Sequence, residues 1–109
     1  MRTFISTSIA TMFAISLLGQ SSKEHAGAGA GVFQEHCIAC HGPDGKGQTE
    51  TGSKVGAADL TSDAVQQLSD ASLSKVVMDG KGKMPAFKGK LGDDEVRAVI
   101  AYLKTLPKK

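Results

Sequence analysis

The chain has 109 residues, with 13 basic and 11 acidic side chains, a formal charge of +2 and 40% apolar content. That length supports one domain, and the near-balance of charge argues against a nucleic-acid binder. The two cysteines, Cys37 and Cys40, are too few for a disulfide framework or a four-cysteine zinc cluster.

Residues 1–28 read as an export signal. Arg2 gives a positive start, Phe4 to Leu18 is apolar but diluted by Ser and Thr, and the segment up to Ala30 is small and polar. The apolar run is shorter than the roughly 20 residues that span a bilayer, so removal is favoured over anchoring. Cleavage is expected after Ala28, with Ala26 at minus three and weaker alternatives between Gly19 and Ser22. An uncleaved signal acting as a tether is the other possibility. Residues 29–109 then form the single domain. Beyond residue 28 the only aromatics are Phe33, Phe87 and Tyr102, a small stock for a core. Chains this short bury only roughly 60% of their surface and tend to need a staple.

The first helix is expected from Gly29 to Cys40, with Val32, Phe33 and Cys37 inward. At its end stands Cys37-Ile38-Ala39-Cys40-His41. Two thiols on one side of a helical turn can both form thioethers to a single haem, and the adjacent imidazole can reach the iron. A disulfide, a redox dithiol and half of a zinc site compete for the same atoms. Export agrees with haem attachment, because the maturation machinery for such haems works outside the cytoplasm in bacteria. The haem would also supply the apolar bulk that the sequence lacks.

Gly42 to Asp59 is rich in Gly, Lys, Thr and Asp without apolar periodicity, and is expected to be loop. Its Gly42-to-Gly47 stretch superficially resembles a phosphate-binding loop, but Gln48 stands where a Lys is required and no strand precedes it. Short helices are expected at Ser62–Leu68 and, more strongly marked, at Asp70–Asp79, with Ser69 or Asp70 capping and Gly80 as the stop. The last helix has a Gly92 cap, Asp93-Asp94-Glu95 in its first turn, and Val96 stapling onto Leu91. Val96, Val99, Ile100 and Leu103 repeat at helical spacing with Tyr102 flanking, Lys104 lies in the last turn, and Pro107 ends the helix. No stretch alternates as a strand, so the fold is expected to be all-α, with about four helices wrapped around one haem.

Gly80-Lys81-Gly82-Lys83-Met84-Pro85-Ala86-Phe87 holds a Met outside any periodic core face. A loop Met taken alone is commonly a gap-filler. Paired with the upstream motif, it is a candidate second iron ligand, and His/Met ligation suits electron transfer.

Together these features resemble a class I, monohaem cytochrome c, closest in style to the cytochrome c6 and c-553 group. The resemblance is carried by Gly29 and Phe33, Cys37-x-x-Cys40-His41, the Met84 loop, and Leu91 through Leu103. It implies one haem c bound through Cys37 and Cys40, with His41 and Met84 as axial ligands, and Gly29 and Phe33 crossing near Tyr102. It also implies that a carbonyl in Gly56-Ala57-Ala58-Asp59-Leu60 accepts a hydrogen bond from the ligand His. Many relatives place Pro where this chain has Ala58, so a carbonyl remains available but the loop is expected to be less rigid.

Among other candidates, His25 is expected to leave with the signal or to sit in a tail. His36 is not placed to reach the opposite haem face, and Met78 on the helix ending at Asp79 is adequately explained by packing.

Loss of residues 1–28 would take away Arg2, Lys23 and Glu24, leaving 11 basic and 10 acidic residues, a charge of +1. Lys75, Lys81, Lys83, Lys88 and Lys90 cluster around the Met84 loop with Asp79 against them, which suggests a basic face for redox partners. The chain is thus expected to be an exported, monomeric electron shuttle, periplasmic in a bacterium, with no catalytic residues. A haem sensor or peroxidase-like protein with a dissociable Met, and a haem-free thiol oxidoreductase using Cys37 and Cys40, are the alternatives.

Overall fold

The computed structural model describes residues 20–108. Six helices follow one another: α1 (Gln20–His36), α2 (Ile38–His41), α3 (Glu50–Val55), α4 (Asp63–Gln66), α5 (Asp70–Asp79) and α6 (Asp93–Leu103). The described residues contain no strand; the only β-type pairings among them are isolated bridges, Lys81 with Met84 and Lys88 with Leu91. The fold is all-α, as expected.

Residues 1–19 of the expected signal lie outside the described residues. The boundary at Ala28 falls within α1, which runs without a break from Gln20. The first helix therefore starts earlier than expected. It also ends earlier, at His36, with Cys37 (φ −118°, ψ −31°) as the hinge into α2. His25, placed by sequence in a lost leader or a tail, belongs to α1 and lines a cleft with Val32, Asp94 and Glu95.

α3 corrects the expected loop over residues 42–59. Thr49 caps it by accepting from the Gly52 N–H, Gly56 closes it in the left-handed region at φ 70°, and Glu50 pairs with Lys54. Its only buried residue is Gly52, so it has no apolar stripe for sequence periodicity to detect. α5 matches its expected bounds, with the Ser69 hydroxyl accepting from the Ser72 N–H. α6 also starts where expected, and the Glu95 carboxylate accepts from the Gly92 N–H.

α1 packs chiefly on α6. Phe33 is 1% exposed and joins Leu73, Phe87, Leu91, Val96, Val99, Ile100, Leu103 and Leu106 in one core. Full burial of a side chain such as Ile100 or Phe33 stabilises by about 1.5–3 kcal/mol. Phe33 and Tyr102 meet with centroids 5.2 Å apart, the crossing expected for Gly29, Phe33 and Tyr102. Gln66 ties α4 to the end of α6 by donating to the carbonyls of Leu60 and Leu103 at 2.7 and 3.0 Å. Lys104 returns the tie by donating to the carbonyls of Gln66 and Leu68.

Candidate haem site

The hinge at Cys37 separates the long helix from a single turn that presents both cysteines and His41. Cys37 donates its N–H to Phe33 and its carbonyl accepts from His41 at 2.9 Å, so the turn is anchored on the core helix. Thr49 fixes the same turn from outside. Its hydroxyl is shared between the carbonyls of Ala39 (2.8 Å) and Cys40 (3.1 Å), while its oxygen accepts from Gly52. Sequence reasoning missed Thr49; an N-cap Thr ahead of Glu50 was the available signal.

Cys37 and Cys40 form no disulfide with each other and are both half-buried. Burial and, to a lesser degree, the neighbouring Cys40 push the Cys37 thiol from 9.0 up to about 11. Reactive dithiols work through a thiolate and are found where the pKa is lowered. Cys37 is shifted in the opposite direction, so it is not the activated thiolate that such a pair would use.

The His41 ring is held by a hydrogen bond of 3.0 Å between Nδ1 and the Ala58 carbonyl oxygen. A carbonyl can only accept, so Nδ1 carries the proton and Nε2 keeps its lone pair, the arrangement found in metal-ligating imidazoles. The bond that the sequence left in question at Ala58 is present.

Met84 is placed by a tight turn. Its N–H donates to Lys81 and its carbonyl accepts from Lys81, at 2.9 and 3.2 Å. Immediately after it, the N–H groups of Phe87 and Lys88 donate to the carbonyls of Val77 and Met78, so the loop is bonded to the end of α5. Phe87 meets His36 edge-on with centroids 5.9 Å apart. The Met84 loop and the cysteine turn are therefore neighbours, although Cys37 and Met84 are 47 positions apart in the sequence.

Besides Val32 and Tyr102 at the helix crossing, the half-buried apolar side chains packed on the core are Cys37 and Ile38, Leu60 and Val65, Val77 and Met78, and Met84. Such a surface suits coverage by a flat apolar group. Two thiols, an imidazole with Nε2 available and a thioether make a donor set that fits haem c. Two clefts, of about 390 and 250 Å³, lie elsewhere, and neither is lined by Cys37, Cys40, His41 or Met84. No cluster of three or more His, Cys, Asp or Glu side chains suited to a bare metal ion occurs among the described residues.

Lys81, Lys83, Lys88 and Lys90 are all exposed, and no ion pair engages them among the described residues. The Lys90 ammonium lies 5.9 Å from the centre of the Phe87 ring. Lys75, by contrast, pairs with Asp79 at 3.3 Å. His36, edge-on to Phe87, approaches Glu35 at 3.8 Å.

The family described as "Cytochrome C oxidase, cbb3-type, subunit III" matches residues 24–103. The chain is 40% identical over 95 residues to the cbb3-type cytochrome c oxidase subunit FixP of Bradyrhizobium sp. (strain ORS 278), covering 84% of this chain but 31% of that protein. This chain thus spans about a third of the length of that relative. It is 38% identical over 78 residues to cytochrome c6 of Leptolyngbya boryana, covering 72% of this chain and 88% of that one. Among solved structures, the KustC0563 c-type cytochrome superposes with a TM-score of 0.67 at 30% identity, covering 73% of this chain and 98% of its own. The chain belongs to the cbb3-type cytochrome c oxidase subunit III family and is a small c-type cytochrome domain, related also to cytochrome c6.

Proposed function

We propose that this domain carries a single haem c, bound through Cys37 and Cys40 with His41 and Met84 as axial ligands, and that it shuttles electrons between protein partners. The hydrogen bond from His41 Nδ1 to Ala58 supports this most strongly, because it orients the imidazole and leaves Nε2 for iron. Bound there, the haem supplies a one-electron Fe(III)/Fe(II) couple. The cysteines would tether it, the half-buried apolar residues would exclude water from it, and Met84 would raise its potential. None of these residues makes or breaks a substrate bond; the protein is an electron carrier rather than an enzyme. The single Cys-x-x-Cys-His sequence supports one haem per chain.

Haem attachment of this kind takes place outside the cytoplasm in bacteria, which makes the chain periplasmic or otherwise exported. Export through residues 1–28, removed after Ala28, belongs to the same proposal. No helix among the described residues is long and apolar enough to cross a membrane. Exposed Lys81, Lys83, Lys88 and Lys90 beside the Met84 loop would steer the domain towards acidic patches on redox partners.

Two settings fit a domain of this kind. Its coverage of 88% of a cytochrome c6 favours a monomeric carrier that diffuses between partners. Its match to FixP supports the second, an electron-transfer module acting with a respiratory oxidase.

Expression with a c-type maturation system, followed by intact mass and absorption spectra, tests the proposal. One covalent haem and a band from Met sulfur to ferric iron are expected. A haem-free chain would remove the proposal. Covalent haem that rapidly binds carbon monoxide in the native protein would instead favour the ligand-binding alternative.

A further inference from the structure

We infer that Asp59 is a positioning residue: it holds the Ala58 carbonyl on His41 and thereby sets the electron-donating strength of the imidazole. This rests on the haem assignment above. Ala58 brings no ring to fix its own φ, as a proline would, so the constraint on its carbonyl must come from its neighbours. Asp59 Oδ1 accepts from both the backbone N–H and the hydroxyl of Thr61, at 2.9 and 2.6 Å. Thr61 is 1% exposed and among the most fully buried side chains. A hydroxyl-to-carboxylate bond this short is of the strong, charge-assisted kind. Asp59 is thus tied to a residue that cannot move without disturbing the interior.

Further bonds close the frame. The Leu60 N–H donates to Gly45 at 2.7 Å, and the Leu60 carbonyl accepts from Gln66 at 2.7 Å. On the other side, Gly47 donates its N–H to the His41 carbonyl at 2.7 Å. Its own Cα presses on the segment that bonds the ring: a Cβ at Gly47 would come within 2.6 Å of the Ala57 oxygen and 3.2 Å of the Ala58 oxygen. His41 is therefore held through both its backbone and its Nδ1, and Asp59 with Thr61 locks the segment that accepts from Nδ1.

A carbonyl accepting from Nδ1–H raises the basicity of the imidazole at Nε2. A more basic ligand favours ferric iron and lowers the reduction potential. Loosening the Ala58 carbonyl should raise the potential without removing any ligand.

The test uses the purified holoprotein. Asp59→Ala is expected to raise the potential and to speed exchange of the His41 Nδ1 proton in the reduced protein by about tenfold. That factor corresponds to ~1.4 kcal/mol. Asp59→Asn keeps an oxygen acceptor for Thr61 but not its charge, and should shift both readouts in the same direction by clearly less than Asp59→Ala. Ala58→Pro in the Asp59→Ala background should return them towards wild type. The ring fixes φ, and the Ala58 N–H forms no backbone hydrogen bond to forfeit among the described residues. Thr61→Val, which loses only the hydroxyl donor, should shift both in the same direction by less, and serves if Asp59→Ala does not fold. Lower thermal stability with unchanged potential and exchange would overturn the inference and leave Asp59 a purely structural residue. Absence of covalent haem in the wild type would be seen before any variant is compared, and would bring down the haem assignment and this inference together.

Discussion

Gly29 of α1 lies directly against Ala98 of α6: a Cβ at position 29 would overlap the Ala98 carbonyl oxygen and come 2.9 Å from Tyr102 Cβ. One turn later Phe33 packs on Tyr102. The bare backbone at Gly29 allows the two helices to approach, and Phe33 fills the space that opens beyond. This contact holds the cysteine turn, which follows α1, against the core built largely by α6.

Gly29→Val is therefore expected to destabilise the holoprotein by roughly 1–3 kcal/mol, the range for overpacking a tight contact. Thermal unfolding followed by circular dichroism measures this, and the reduction potential should stay unchanged. An unaltered Tm would mean that this crossing is not under steric control.

Met84→Ala removes the thioether and should lower the potential, because His/Met ligation raises it. The band from Met sulfur to ferric iron should vanish and carbon monoxide should bind rapidly. Met78→Leu, at a half-buried position on α5, should leave the spectrum as it is. If Met84→Ala keeps the wild-type spectrum and potential, Met84 is not the ligand.

Charge reversal of Lys81, Lys83, Lys88 and Lys90 together should slow electron transfer with an acidic partner by about tenfold or more at low salt. The difference should shrink as salt rises, because exposed charges are screened beyond about 10 Å at 0.1 M. Stopped-flow measurements over a salt series make the check. Equal rates for variant and wild type would assign docking to another surface.

The legible parts of the fold were those whose burial leaves a period or a cap in the sequence. α6 was readable from Val96, Val99, Ile100 and Leu103, and α5 from Ser69, Leu73 and Gly80. α3 was not, because it is stabilised by Thr49, Gly56 and an exposed Glu50–Lys54 pair and buries only a glycine. α1 was shortened in the sequence reading because its small, polar first half resembles the end of an export signal. The four proposed ligand-bearing residues were legible as a motif and a loop. Their supports were less so. Gln66 and Lys104 act through side-chain bonds to carbonyls far along the chain, which one sequence does not encode as a pattern. Thr49 and the Asp59–Thr61 turn are local features whose link to the site only the fold reveals.

The Cys37 thiol gives a pH-dependent prediction for the haem-free chain. Its folded-state pKa, about 11, lies above the ordinary 9.0, so the neutral thiol is the form that the fold favours. That contribution is fully present below pH 9 and is lost as pH rises to about 11. Stability of the haem-free chain should fall through this window, and Cys37→Ser should remove the fall. At pH 8 the thiolate fraction drops from ~1 in 10 to ~1 in 1,000, so alkylation of Cys37 should be ~100-fold slower than in the urea-denatured chain. Circular dichroism in parallel reports whether the fold is present. Alkylation as fast in the folded as in the denatured chain would contradict the shift and reopen thiol chemistry.

The central claim is covalent haem on Cys37 and Cys40 with His41 and Met84 as axial ligands. Its most direct measurement is the absorption spectrum of the oxidised and reduced protein after expression of the whole chain with a c-type maturation system. The account predicts a haem c spectrum with the band from Met sulfur to ferric iron. Haem c without that band would contradict the Met84 assignment, and no covalent haem at all would contradict the claim as a whole.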